Sequence, residues 1–263
     1  MAEVLAPATK ARVRRLFASR VTVPAPAESD QRASPPSWLS EVSPPGPLAQ
    51  WACSFADLGS CWNACRDPEW LLWLAARTCG PGEQRKPVIL CAAEFAAFAR
   101  PGGRDTDPRV TRAISQVREW AESGADTLDL LAAECDALDA ARESEQVADR
   151  AAERALGLFR TAPRRRPGSS GMNLALGAWQ RWREAERDRC LALSAALTAR
   201  AAAVPDDGTV TAGEWANCVS ESAAFALQAM STRRSAGGRP GWVAMRHCVR
   251  VARRRLTCPS RTP

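Results

Sequence analysis

Two long segments, residues 126–160 and 173–203, repeat apolar side chains at intervals of three and four, and that periodicity constrains the fold more than any other feature of the chain. In the first, Leu128, Leu131, Cys135 and Leu138 form one stripe, with alanine abundant and carboxylates on the other sides. The stripe thins to alanine after Arg142, so the second half must either pack closely against a neighbour or stay partly exposed. In the second segment Trp179, Trp182, Glu186, Cys190, Leu193 and Leu197 keep the same spacing. Both read as amphipathic helices. No window of the chain shows sustained strand alternation, so the expected class is all-α, with about eight helices in an irregular bundle or a stack of helical hairpins.

Proline and glycine mark where the remaining helices begin and end. In Asp67-Pro68 the aspartate can accept from a free first-turn amide, and proline at the first helical position gives up nothing because its amide would be unpaired there. The helix that starts at Pro68 should stop before Gly80-Pro81-Gly82. The same device recurs at Asp107-Pro108, opening a helix that turns Val110, Ile114, Val117 and Trp120 to one side and ends near Gly124. A helix over 88–100 lies between them. Two more are expected at 212–232 and 242–256, on either side of a Gly-Gly-Arg-Pro-Gly break. Residues 1–47, with a weakly amphipathic stretch at 10–20 followed by a Pro/Ser/Ala-rich run, read as a flexible arm. The expected organisation is the arm at 1–47, a helical domain at 48–160, an Arg/Pro/Gly loop at 161–171 and a helical region with a basic tail at 172–263.

Charge is unevenly distributed. The 36 basic residues exceed the 29 acids by seven, and nine arginines with no acid lie between Ser222 and the end. Residues 105–160 hold thirteen acids against seven arginines, a net of −6. An acidic middle therefore precedes a basic end. No run approaches 18 uncharged apolar residues, and Arg12, Arg14 and Arg15 precede no apolar stretch of signal-peptide length, so a cytoplasmic protein without a membrane partner is expected. Ten cysteines in 263 residues fall below the density of a disulfide scaffold and are expected to be reduced.

Several constellations invite a chemical reading. Cys61 and Cys65 could share a helix face, but a zinc site needs four ligands, and the chain has no CxxC and one histidine, His247. The same shortage disfavours a cysteine nucleophile, which needs a base. Acids on one helix usually mark a solvated face, and without ExxH they do not form a di-iron signature. Asp206 to Trp215 resembles half an EF-hand loop, yet Ala203 and Pro205 occupy the first carboxylate positions. The simpler account is a capping box in which Thr211 caps the next helix and Glu214 reaches back. No catalytic residue, metal or cofactor is expected. Three tryptophans within twelve residues, Trp62, Trp70 and Trp73, read as core at helical spacing in preference to a stacking platform for flat ligands.

The run from Cys61 through Asp67 to Trp70-Leu71-Leu72-Trp73-Leu74-Ala75 resembles the bacterial immunity-like helical proteins encoded beside polymorphic toxins, whose signature is an aspartate ahead of Trp-Leu-Leu-Trp-Leu. Cys91 to Ala96, and Arg112-Ala113-Ile114 leading to Glu119-Trp120-Ala121, match more loosely, and the likeness spans roughly residues 50–160. It implies a non-enzymatic protein that binds a protein partner, a cognate toxin, and inhibits it by covering its surface. Charge complementarity assigns the contact to Glu134, Asp136, Asp139 and Glu143 and makes the partner basic. Two alternatives remain open. One is nucleic-acid association, with Arg246, Arg250, Arg253 and Arg254 of a basic C-terminal helix contacting phosphates. The other is a helical enzyme of unrecognised type.

Overall fold

The computed structural model describes residues 36–80, 82–100, 106–124, 126–161, 170–205, 209–232 and 240–258. Among them the chain is 85% helical with no strand, in ten α-helices. These are α1 (Ser37–Val42), α2 (Gly46–Ala52), α3 (Leu58–Ala64), α4 (Pro68–Thr78), α5 (Lys86–Ala99), α6 (Pro108–Ser123), α7 (Thr127–Thr161), α8 (Ser170–Ala203), α9 (Ala212–Ser231) and α10 (Pro240–Arg255). The all-α class is as expected, and the difference between about eight helices and ten comes from the short pieces α1 to α3.

The chain divides into two units, Met1–Cys61 and Trp62–Pro263. In the first, part of the expected arm is helical. Pro36 stands at the N-cap of α1, where a missing amide costs nothing, and Trp38, Leu39 and Val42 are buried at helical spacing. Ser43 ends α1 in the left-handed region with φ 51°, its N–H donating to Leu39 O at 2.8 Å. The Trp38 indole donates to Phe55 O at 3.4 Å, and Phe55 stands with its centroid 4.6 Å from Trp51. The 10–20 stretch lies outside the described residues.

The second unit is organised on the pair α7 and α8. Glu134 meets Arg200 at 2.6 Å and Glu145 approaches Arg189 at 4.0 Å, and the residue numbers of both pairs add to 334, so the helices run antiparallel in constant register. The two pairs are eleven residues apart on each helix, three turns, and therefore repeat on the same faces. Alanine forms the seam: Ala133, Ala137, Ala140, Ala148, Ala151 and Ala155 are buried on α7, as are Ala175, Ala178, Ala185, Ala192, Ala196, Ala199 and Ala203 on α8. A side chain this small lets two backbones approach closely, with dispersion contacts along the whole length.

This seam corrects the expected apolar face of α7. Leu128 and Leu131 are 70% and 43% exposed, Cys135 is exposed and Leu138 half-buried, while Leu130 beside them is fully buried. The alanines pack inward because α8 presents alanine to them in return, and leucines in that seam would force the helices apart.

The C-terminal half of α8 is buried on nearly every side, by α7, α6, α9 and α5. α9 runs antiparallel to it: Trp215 pairs with Ala201, Ser222 with Ser194, Gln228 with Glu186 and Thr232 with Arg183, numbers that add to 414–416. Between these two helices, Ser194, Thr198 and Ser222 satisfy one another in the core, with Thr198 Oγ1 and Ser222 Oγ 2.7 Å apart and Ser222 Oγ donating to Ser194 O at 2.9 Å. On the outer side of α9 lies α4, begun as expected by Asp67, whose carboxylate accepts from the Glu69 amide at 2.9 Å and the Trp70 amide at 3.3 Å. Trp62 and Trp73 are buried core residues, and the Trp73 indole donates to Asn217 Oδ1 of α9 at 3.1 Å. Trp70 is half-buried. The capping box at α9 is present, with Thr211 Oγ1 accepting from the Glu214 amide at 3.2 Å and Glu214 Oε2 accepting from the Thr211 amide at 3.0 Å.

α10 packs on α9, α4 and α5. Helices before and after the 161–171 segment thus share one unit; residues 162–169 lie outside the described residues.

Candidate protein-binding surface

The four carboxylates singled out for partner contact all face an arginine of the same chain. Glu143 receives both terminal nitrogens of Arg109, at 2.6 and 2.9 Å, and Arg109 also grips Asp107 at 2.8 Å. Arg112 reaches Asp136 at 3.1 Å, Arg142 reaches Asp139 at 2.6 Å, and Arg200 reaches Glu134 at 2.6 Å. The first two arginines belong to α6, so Asp136 and Glu143 hold α6 against α7. Hydrogen bonds from Arg109 keep the Glu143 and Asp107 carboxyls below the usual carboxylate range.

Glu134 departs from expectation. A solvated face is expected of it, but it is 7% exposed, turned toward α8 by the same antiparallel register that sets the seam. The side chains of Asp136, Asp139 and Glu143 remain 42%, 58% and 64% accessible. With 100° per residue, these three fall within one sector of α7, on the α6 side. Exposed ion pairs of this kind contribute only about 0–1 kcal/mol each, so a stronger basic group arriving from outside can displace the resident arginine at little cost.

The alternative arginine set is not brought together as a free face. Arg253 is turned inward: one terminal nitrogen donates to the carbonyls of Trp62, Asn63 and Cys65, the last at 3.0 Å, and the guanidinium lies 5.2 Å from the Trp62 ring centre. It caps the carbonyl end of α3. Arg254 approaches Glu94 of α5 at 3.6 Å, and Arg255 pairs with the same carboxylate, which holds the Glu94 carboxyl below its usual range. Arg246 and Arg250 are exposed. Sequence spacing put Arg246, Arg250, Arg253 and Arg254 on one basic helix, but it could not show that Arg253 anchors that helix and that Arg254 leans toward an acid of α5.

The buried thiols and the histidine are structurally engaged. Burial pushes the Cys61, Cys218 and Cys248 thiols up to about 12, leaving no thiolate at neutral pH. His247 stacks on Phe98 with ring centres 3.8 Å apart, and burial with the nearby Arg250 charge lowers its pKa. Among the described residues no group of three or more His, Cys, Asp or Glu side chains is placed to hold a metal ion. No helix among them is long and apolar enough to cross a membrane.

Two features escaped sequence reasoning. Glu186 of α8 accepts from Arg189 at 2.7 and 3.0 Å and from Gln228 at 3.3 Å, forming a polar cluster where α9 ends. Glu69 is pushed up to about 8 by burial and by the neighbouring charges of Asp67 and Glu221. Glu221 lies on α9, 152 residues away in sequence, so no local signal could have paired it with Glu69. Compared with family models, curated proteins and solved structures, the chain matches none.

Proposed function

We propose that the chain is a non-enzymatic protein-binding protein of the immunity kind, which inhibits a basic partner, a cognate toxin, by covering its surface. The observation that carries this reading is the sector of α7 bearing Asp136, Asp139 and Glu143, accessible to solvent and held by arginines that an incoming basic surface can replace. Glu134 drops out of the contact set because it is buried against α8. The partner's lysines and arginines would exchange with Arg109, Arg112 and Arg142, and the net charge of the middle segment would steer the encounter.

The test is co-expression of the chain with the product of an adjacent toxin-like gene, followed by co-purification and a binding titration at two salt concentrations. Growth should be rescued and a complex recovered. Asp136→Asn, Asp139→Asn and Glu143→Gln together should slow association at least tenfold and flatten its salt dependence. The thermal midpoint should change little, because exposed pairs contribute little to folding. If the triple variant binds as the wild type does, these acids are not the contact surface. If Arg246→Gln with Arg250→Gln, both exposed on a helix that stays in place, loses a nucleic-acid interaction that the triple variant keeps, the role belongs to the C-terminal arginines.

A further inference from the structure

The hairpin of α7 and α8 outruns the helices beside it. α6 begins at Pro108, next to the Arg109 that meets Glu143, and Thr232, at the end of α9, accepts from Arg183 at 3.0 Å. Past Glu143 and before Arg183 the two long helices continue together, and their apolar side chains open to solvent: Leu156 is 56% exposed, Leu174 56%, Leu176 51% and Trp179 45%. Trp179 stacks on Trp182 with ring centres 4.4 Å apart and planes at 29°, so one indole backs another that is nearly half exposed.

Positive charge concentrates at the same end. Residues 150–183 carry eight arginines and one acid, Glu153, a net of +7 that equals the net charge of the whole chain and leaves 28 basic residues and 28 acids elsewhere. Arg150, Arg154 and Arg181 are exposed. Unlike Arg109, Arg112, Arg142 and Arg200, none of the three pairs with a carboxylate among the described residues; Arg150 donates instead to Gln146 O of its own helix at 3.0 Å.

The arrangement of the two sets selects the ligand. Trp182 and Arg189 are seven residues apart and share a face of α8, the face from which Arg189 approaches Glu145. Arg150 and Arg154 follow Glu145 by five and nine residues, about 140° and 180° around α7, and Arg181 stands about 160° from Trp179 around α8. The indoles therefore lie on one side of the hairpin and the arginines on the other. A duplex is stiff and a membrane surface is flat, so each meets one side alone. A single strand is flexible, carries a phosphate and a flat ring at every step, and can pass across a hairpin about 10 Å thick to use both sides. We propose that this end of the α7–α8 hairpin binds single-stranded nucleic acid, with bases stacking on Trp179 backed by Trp182 and phosphates pairing with Arg150, Arg154 and Arg181. The contact uses none of Asp136, Asp139 and Glu143 and does not depend on the proposed toxin contact.

Fluorescence anisotropy of the full chain with labelled oligothymidylate and oligouridylate of about 12 nucleotides should report binding with a Kd of about 1–100 μM at low salt. Affinity should fall steeply between about 50 and about 200 mM salt. Arg150→Gln, Arg154→Gln and Arg181→Gln together should weaken binding at least tenfold and reduce the slope of log affinity against log salt by about 2, since each phosphate neutralised contributes about 0.7. The circular-dichroism melt of that variant should be unchanged, and Arg246→Gln with Arg250→Gln should bind nearly as the wild type does. Trp179→Ala should weaken binding at least fivefold, whereas Trp179→Phe keeps a ring and most of the affinity. If Trp179→Ala unfolds, the stacking is read from tryptophan emission, quenched by the strand in the wild type and less so in Trp179→Phe. Equal affinity for the two oligonucleotides supports contact through backbone and ring alone, and tighter oligouridylate supports RNA read at its 2′-hydroxyl. No binding by about 100 μM overturns the proposal. So does a duplex of the same length bound as tightly as the single strand, an arginine triple variant that binds as the wild type, quenching unaltered in Trp179→Phe, or capture of phosphatidylglycerol vesicles in place of the oligonucleotides.

Discussion

Glu134 of α7 and Arg200 of α8 form an unequal pair: their contact is 2.6 Å, yet the glutamate side chain is 9% exposed and the arginine side chain 53%. The carboxylate is fixed in the interface while the guanidinium approaches from the solvent side. Losing the arginine strands a buried charge, whereas losing the glutamate leaves an arginine that water can solvate. Arg200→Ala is therefore expected to cost about 2–3 kcal/mol and Glu134→Gln about 1 kcal/mol or less. Urea midpoints of the two variants measure this, and equal losses would contradict the asymmetry.

Glu69 sets a pH dependence. Burial, then Asp67 and Glu221, raise it from its ordinary value of 4.5 to about 8, so between those values the folded chain holds a proton that the unfolded chain has released. The stabilisation associated with the protonated carboxyl is complete below about pH 4.5 and is lost as pH rises through about 8. The wild-type urea midpoint should fall between pH 5 and 8.5, and Glu69→Gln should remove that part of the slope. Asp67→Asn keeps the helix cap, because asparagine caps as well as aspartate, and removes one of the two opposing charges. It should lower the Glu69 pKa, as followed by carbon-detected NMR titration. An unchanged slope in Glu69→Gln would show that other groups control it.

Trp215 closes the end of α8. Ala201 O would ordinarily accept from the amide four residues on, but that residue is Pro205, which has none, and the Trp215 indole supplies the donor at 3.0 Å. The ring is 1% exposed and lies 5.0 Å from the Arg85 guanidinium. Trp215→Ala should cost about 3–5 kcal/mol through the cavity. Trp215→Phe retains most of the packing but orphans the carbonyl, and should still cost about 1–3 kcal/mol. Thermal unfolding of both variants checks the ranking, and a neutral Trp215→Phe would remove the capping role.

Gly124 ends α6 at φ 73°, its amide donating to Trp120 O at 2.9 Å. A Cβ there would meet no atom within 4 Å, so the cost of a side chain is conformational alone. Gly124→Ala should lose about 1 kcal/mol and Gly124→Asn less, since asparagine tolerates the left-handed region. Chemical denaturation distinguishes them, and an equal cost would implicate packing.

Much of the fold is written locally. Asp67-Pro68, Asp107-Pro108, Gly124 and the Thr211–Glu214 box announce helix ends because capping depends on residues within one turn. The long helices, the absence of strands among the described residues and the core placement of Trp62 and Trp73 follow from the same short-range rules. Part of the segment expected as an arm is helical, since Pro36 begins a helix as readily as proline interrupts one. What the chain could not disclose locally is which face of α7 turns inward. Its leucines outrank its alanines in hydrophobicity, yet the alanines are buried, because the partner surface on α8 is also alanine and close approach of two long backbones outweighs burial of three leucines. Likewise each acid proposed for binding was visible as a charge, but its arginine partner lies up to 66 residues away. Helix identity comes from neighbours in sequence. Facing, pairing and the state of each charge come from neighbours in space, and only the packed structure decides those.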